Sequence, residues 1–231
     1  MNVTAIVPAA GTGRRMEHHS KKPYLLLQGK PLLAWVLAVL DAVPAVTQIV
    51  IPVHPGDEQR CQQEVVEPAG LQTPVAIVTG GAQRQDSVRN GLAAVTAKCD
   101  IVLVHDAARP LVTRALIEAS LAATQVYHAT TVAVPVKDTI AMINPEQRII
   151  EQFPDRARLY SVQTPQTFTR DLLQQAHHMA CAEGYIGTDD ASLVARLGVP
   201  VAIVPGIYTN IKITTPEDLL IAEALLQQGA L

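Results

Sequence analysis

The sequence predicts an α/β sandwich with a mainly parallel sheet, and three observations predict it. Short apolar runs alternate with helix-length segments along most of the chain. Several of those runs are continuously apolar rather than alternating, as strands covered on both faces are. The composition, 48% hydrophobic and 17% charged over 231 residues, suits one domain that buries a large core without disulfides.

The elements follow in order. Ala5 to Val7 is the first strand, and Pro31 to Ala42 the first helix. Ile49 to Val53, Val75 to Val78, Ile101 to Val104, Thr131 to Val136 and Val201 to Val204 supply further strands. Asp57 to Val66, Arg84 to Ala97, Arg114 to Val126, Arg170 to Ala182 and Pro216 to Gln228 supply the helices. The last helix has a marked start: Thr215 as N-cap, Pro216 at the first helical position and Asp218 three residues after the cap. The rhythm breaks from Lys137 to Val162. There Asn144-Pro145-Glu146 reads as a turn between Thr139 to Met142 and Arg148 to Phe153, a β-hairpin arm. A long non-helical insert in a compact domain is usually functional. No repeat or linker divides residues 1–231.

Charge and cysteine usage exclude several classes. A formal net charge of −3 and a pI near 6.1 speak against a general nucleic-acid binder. Cys61, Cys99 and Cys181 are widely spaced, form no Cys-x-x-Cys pair and are expected as small buried apolar residues. No apolar run is long enough to cross a bilayer, and no basic stretch followed by an apolar segment precedes Val3. The expected location is the cytoplasm, with no membrane partner.

After the first strand comes Pro8-Ala9-Ala10-Gly11-Thr12-Gly13-Arg14-Arg15-Met16. Small residues there let backbone N–H groups approach a phosphate. The loop is not a dinucleotide fingerprint, because Met16 stands where a third glycine is needed. It is not a Walker A loop, which requires Gly-Lys-Ser/Thr. Four cations lie between Arg14 and Lys22 in an otherwise acidic chain. They are either a solvated basic turn or a triphosphate site. In the second case fixed cations would stabilise the charge that builds on a leaving pyrophosphate.

Other segments stand where open parallel sheets bind ligands, beyond the carboxyl ends of strands. His105-Asp106-Ala107-Ala108-Arg109-Pro110 follows one strand, with Arg109 either a site residue or a surface salt bridge. Gly80-Gly81-Ala82 follows another, and Ser87 either contacts a nucleotide or simply sits in the first turns of a helix. Lys137-Asp138-Thr139 closes a strand, and Arg156 lies at the far end of the arm. Thr164-Pro165-Gln166 and Gly187-Thr188-Asp189-Asp190 read as polar turns before helices. Lys212, alone in the apolar run Asn210-Ile211-Lys212-Ile213, is either a site residue or an edge-strand gatekeeper.

As an ordered set, these pieces resemble the 2-C-methyl-D-erythritol 4-phosphate cytidylyltransferase family from end to end of the chain; His105 to Pro110 is the most specific string. The resemblance implies a Rossmann-like nucleotidyltransferase fold and transfer of a cytidylyl group from CTP to 2-C-methyl-D-erythritol 4-phosphate. It implies that Arg15 and Lys22 stabilise the transition state at the α-phosphate. Ala9, Ala10 and Gly11 would hold the nucleotide, with Gly81, Ala82 and Ser87 near the cytosine. Asp106, Arg109, Thr139, Thr164, Thr188 and Lys212 would surround the ribose and the methylerythritol phosphate. Arg156 would reach in from a partner subunit, making 137–160 the dimerisation arm of a homodimer, and Arg156 and Lys212 would position the attacking phosphate. Mg²⁺ is expected, held mainly by the CTP phosphates, with no protein ligand assigned. One departure stands out: Lys21-Lys22-Pro23 replaces the family's usual Pro-Lys-Gln. The nearest alternative is a cytidylyltransferase for ribitol 5-phosphate. A nucleotide-binding regulator is another, and it would bind CTP without releasing pyrophosphate.

Overall fold

The computed structural model describes residues 1–11 and 21–229. In chain order the strands are β1 (Val3–Ile6), β2 (Leu26–Leu27), β3 (Lys30–Pro31), β4 (Val46–Val53), β5 (Val75–Thr79), β6 (Ile101–Val104), β7 (Ala129–Pro135), β8 (Met142–Asn144), β9 (Ile149–Gln152), β10 (Tyr160–Thr169) and β11 (Ala202–Pro205). The helices are α1 (Leu32–Asp41), α2 (Glu58–Cys61), α3 (Glu67–Ala69), α4 (Arg84–Ala93), α5 (Arg114–Tyr127), α6 (Arg170–Ala182), α7 (Asp190–Arg196) and α8 (Pro216–Gln227). A π-helical stretch, Gln62–Val66, joins α2 to α3, so the helix expected at Asp57 to Val66 is present but irregular.

Seven strands form one sheet in the order β11-β7-β10-β6-β1-β4-β5. β10 is antiparallel to both its neighbours, and the other pairs are parallel. The continuously apolar strands are the central ones: every residue of β1 and β6 is buried. Their side chains alternate between two cores, as a period of two requires. Val3, Ala5, Ile49, Ile51, Ile101 and Leu103 face α1 and α5. Ile6, Val50, Val102 and Val104 face α4, α6 and α7. This is the mainly parallel α/β sandwich that the alternation of runs predicts, and the Rossmann-like fold that the resemblance implies.

β10 differs from expectation. Thr164-Pro165-Gln166 is not a turn before a helix but the middle of a ten-residue strand inserted between β6 and β7. Most of its buried residues are polar, Phe168 being an apolar exception, and this hides it from an apolar pattern. Gln163, Thr164, Gln166 and Thr167 are all buried. Remote partners satisfy them: Gln166 Nε2 donates to Asp189 Oδ2 at 2.8 Å, and Gln163 Nε2 to the Ile207 carbonyl at 3.0 Å. Pro165 is tolerated where the β10–β7 register shifts, between Val162 and Gln166.

The arm is a hairpin of β8 and β9, which form their own two-stranded sheet. Asn144 Oδ1 accepts from the backbone N–H groups of Glu146 and Gln147 and sets the turn. Met142, Ile143, Ile149, Ile150 and Phe153 are each more than half exposed. Of the cysteines, Cys61 and Cys99 are buried as expected, and burial pushes the Cys61 thiol up to about 12. Cys181 is exposed, on the outer side of α6.

Candidate active site

A cavity of about 310 Å³ opens at the carboxyl ends of the parallel strands. Pro8, Ala9, Ala10 and Gly11 line it from the loop after β1, and Gly81, Ala82, Gln83, Arg84 and Ser87 from the turn into α4. Asp106, Ala107 and Ala108 line it after β6, and Lys22, Pro23 and Lys212 complete the wall.

The two loops approach closely because glycine allows it. A Cβ on Gly80 would lie 2.5 Å from the Ala10 Cβ, and one on Gly81 would lie 2.2 Å from the Asp86 Cβ. Ser87 stitches this turn to the helix: its Oγ accepts from the Gly81 N–H and donates to the Gln83 carbonyl, both at 3.1 Å. Gln83 and Asp86 form a reciprocal cap at the start of α4.

Asp106 organises the charge. Its Oδ1 accepts from Arg84 Nε at 3.0 Å, its Oδ2 lies 2.7 Å from Lys212 Nζ, and Arg109 Nε stands 3.9 Å from the same oxygen. Burial alone would raise the Asp106 carboxyl, but Arg84, then Lys212 and Arg109, outweigh it and hold the group well below the usual carboxylate range. Arg84 also donates from NH1 to Asp190 Oδ2 at 2.7 Å. Burial opposes the Arg84 charge, and Asp190 and Asp106 overcome that and raise its pKa. Among the described residues, Arg84, Arg109 and Lys212 converge on Asp106, and Lys22 adds a further cation to the cavity wall. Such a wall suits a polyanion.

Behind Asp106 the site is built from neutral hydrogen bonds. The Asp106 N–H donates to Thr164 Oγ1, which lies 3.0 Å from His105 Nδ1, while His105 Nε2 lies 3.1 Å from the Arg109 carbonyl. Burial pushes the imidazole down to about 4, so it stays neutral at pH 7. Arg109 is buried, and its NH1 donates to the Asn210 carbonyl at 2.8 Å.

The residues expected from the sequence divide into groups. Ala9, Ala10, Gly11, Lys22, Gly81, Ala82, Ser87, Asp106 and Lys212 meet at the cavity. Arg109 and Thr164 stand behind it as supports of Asp106. Thr139, Arg156 and Thr188 are exposed and are not among its lining residues; Arg156 donates from NH1 to the Lys137 carbonyl at 3.1 Å. Arg15 lies outside the described residues. Lys212 sits in a loop rather than an edge strand, so it is no gatekeeper. Sequence reading did not select Arg84 or Asp190 as site residues. The available signal for Arg84 was its position just after Gly80-Gly81, at a helix N-terminus. Asp190 gave none, because its partner is 106 residues away.

Comparisons with known proteins point to one family. The family model for 2-C-methyl-D-erythritol 4-phosphate cytidylyltransferase matches residues 3–228. A protein of that name from Geotalea uraniireducens is 47% identical over 229 residues, covering 98% of this chain and 97% of its own. Another, from Caldanaerobacter subterraneus subsp. tengcongensis, is 43% identical over 228 residues, covering 99% and 100%. Among solved structures, the Thermus thermophilus 2-C-methyl-D-erythritol 4-phosphate cytidylyltransferase superposes with a TM-score of 0.81 at 38% identity, covering 98% of this chain and 100% of that one. The 4-diphosphocytidyl-2C-methyl-D-erythritol synthase of Anaerococcus prevotii gives 0.86 at 29% identity, covering 98% and 96%.

Proposed function

The chain belongs to the 2-C-methyl-D-erythritol 4-phosphate cytidylyltransferase family, and from that premise we propose how its residues carry out the reaction. It transfers the cytidylyl group of CTP to 2-C-methyl-D-erythritol 4-phosphate, giving 4-diphosphocytidyl-2-C-methyl-D-erythritol and pyrophosphate, in isoprenoid biosynthesis. The observation that carries the reading of the site is the Asp106-centred cluster of Arg84, Arg109 and Lys212 at the cavity.

In this reading the triphosphate lies along the loop after β1. The backbone at Ala9, Ala10 and Gly11 holds it, and the base enters near Gly81, Ala82 and Ser87. A phosphate oxygen of the methylerythritol phosphate attacks the α-phosphorus in line, the bond to the β-phosphate oxygen breaks, and pyrophosphate leaves. The nucleophile is already an anion, so no covalent enzyme intermediate is needed. Lys22 and Arg15 offset the charge that builds on the α-phosphoryl oxygens. Lys212, oriented by Asp106, holds the attacking phosphate together with Arg156 of a neighbouring subunit, and Arg109, Thr139, Thr164 and Thr188 complete the polyol side. A divalent ion such as Mg²⁺ would be held mainly by the triphosphate and would supply charge neutralisation there. Both Asp106 oxygens are engaged by cations, and the described residues hold no cluster of three His, Cys, Asp or Glu suited to a metal.

The domain acts as a homodimer through residues 137–160. Support comes from the row of large apolar side chains exposed on the hairpin, a patch of the kind that marks an interface. The working location is the cytoplasm; no helix among the described residues is long and apolar enough to cross a membrane.

Pyrophosphate release tests the assignment. The assay pairs CTP and Mg²⁺ with 2-C-methyl-D-erythritol 4-phosphate, beside ATP, UTP, GTP and ribitol 5-phosphate. Release that needs both CTP and the methylerythritol phosphate is the expected result. Release only with ribitol 5-phosphate overturns the substrate, and none with any pair overturns the reaction.

A further inference from the structure

Behind the cavity, Arg84 leads into two buried polar groups, Asp190 and His177, to which the proposed reaction assigns no role. Arg84 lines the cavity, and two carboxylates share its guanidinium, Asp106 at Nε and Asp190 at NH1. The other oxygen of Asp190 lies 2.9 Å from His177 Nε2. His177 and Asp190 are almost fully buried, with side-chain exposures of 2% and 1%. Three helices on one face of the sheet therefore converge here: Arg84 opens α4, Asp190 opens α7 and His177 stands in α6.

We propose that His177 is a positioning residue for the reaction: it fixes the plane of the Asp190 carboxylate, Asp190 fixes Arg84, and Arg84 with Asp106 sets where the Lys212 ammonium stands. The inference rests on the reading of the cavity as the CTP site.

Three features support it. First, each Asp190 oxygen has its own partner, His177 on one and Arg84 on the other, so the carboxylate cannot rotate without losing one of them. Second, the backbone beneath it is fixed independently. Gln166 of β10 accepts from the Ala191 N–H at 3.0 Å and donates to Asp189 at 2.8 Å. The orientation of the Asp190 side chain is thus the freedom that remains, and His177 removes it. Third, a buried ion pair is often no more stabilising than apolar side chains of equal volume. A mere tie between helices would not need one here, whereas a guanidinium held at one angle in a cavity wall does. His177 Nδ1 is buried without a hydrogen-bond partner among the described residues, so the ring is held through Nε2.

The test compares His177→Leu, which removes the donor at similar volume, with His177→Gln, which keeps an N–H donor. Wild-type pyrophosphate release is measured first, because its absence would defeat the reaction itself and not this inference. Misplacing a group at a reacting centre by about 1 Å can cost about a hundredfold, and an indirect shift through Arg84 is expected to lower kcat about tenfold in His177→Leu, with the KM for CTP within about twofold. His177→Gln is expected to recover most of that loss. A readout without substrate is the Arg84 Nε–H resonance, identified through Arg84→Lys: its exchange with water should be faster in His177→Leu than in the wild type. A folded His177→Leu with wild-type kcat and unchanged exchange overturns the proposal, and so does His177→Gln impaired to the same extent as His177→Leu. If His177→Leu does not fold, Asp190→Asn takes its place. It keeps the shape and puts an amide against Arg84, and wild-type turnover in it overturns the proposal equally.

Discussion

Lys21 and Asp57 form a two-pronged ion pair, with Nζ 2.8 Å from each carboxylate oxygen. The pair ties the 3₁₀ turn Lys22–Tyr24 to the residue at the N-cap position of α2. Arg60 of the same helix stacks 4.1 Å over the Tyr24 ring. Lys21 is thus engaged by Asp57 and does not compete for the cavity. Lys21→Met is expected to lower turnover several-fold by loosening the turn, while stability falls by no more than about 1 kcal/mol, as for a partly exposed pair. Steady-state kinetics beside urea unfolding checks this; unchanged kcat would leave the pair with no part in placing Lys22.

Lys22 lines the cavity itself. Lys22→Ala, and likewise Arg15→Ala, is expected to lower kcat by about a hundredfold or more, the scale seen when one group stabilising an oxyanion is removed. Near-normal turnover in both variants would contradict their assigned roles.

The Gly81 turn has no room for a side chain, since an added Cβ would meet the Asp86 Cβ at 2.2 Å. Gly81→Ala must push the turn away from α4 and break the Gly81 N–H to Ser87 bond. A loss of about 1–3 kcal/mol in stability is expected from such overpacking, along with weaker CTP binding by calorimetry.

Stability should fall on mild acidification because of His105. Its folded pKa is lowered to about 4, below the ordinary 6.5. Between those values the unfolded chain binds a proton that the folded chain refuses, so stability is lost as the pH falls through that window and levels off below it. Between pH 7 and pH 5 this amounts to about 2 kcal/mol. Asp106 and Asp190, both depressed, add further losses that begin as the pH falls through the ordinary carboxylate pKa and continue below it. Urea unfolding at the two pH values should show a flatter dependence in His105→Gln than in the wild type.

If Arg156 serves a neighbouring site, two inactive variants should complement each other. Arg156→Ala mixed with Lys22→Ala under subunit exchange gives mixed dimers with one complete site, and about a quarter of wild-type activity is expected from random pairing in a two-fold dimer. No recovery would place Arg156 in its own subunit's site. Phe153→Glu on the arm should shift sedimentation toward the monomer.

The residues that drive folding were legible in the sequence because their pattern is local. Continuous apolar runs named β1, β4, β6 and β7 as strands buried on both faces. Asn144-Pro145-Glu146 marked the hairpin, and Thr215-Pro216 with Asp218 marked the start of α8. The Gly80-Gly81 turn and the His105 to Pro110 string also pointed to the right ends of the right strands. β10 was not legible. Most of its buried residues are polar and gain stability from partners far along the chain, as Gln166 does from Asp189 and Thr164 from His105. The same holds for the charge cluster. Sequence alone left Lys212 as either a gatekeeper or a site residue, and it did not select Arg84 for the site. Only the tertiary structure brings Lys212, Arg84 and Arg109 onto the single carboxylate of Asp106. Apolar burial follows the period of neighbouring residues, and so a sequence determines it locally; the strength and direction of an ion pair depend on distance and burial, which exist only once the chain has folded.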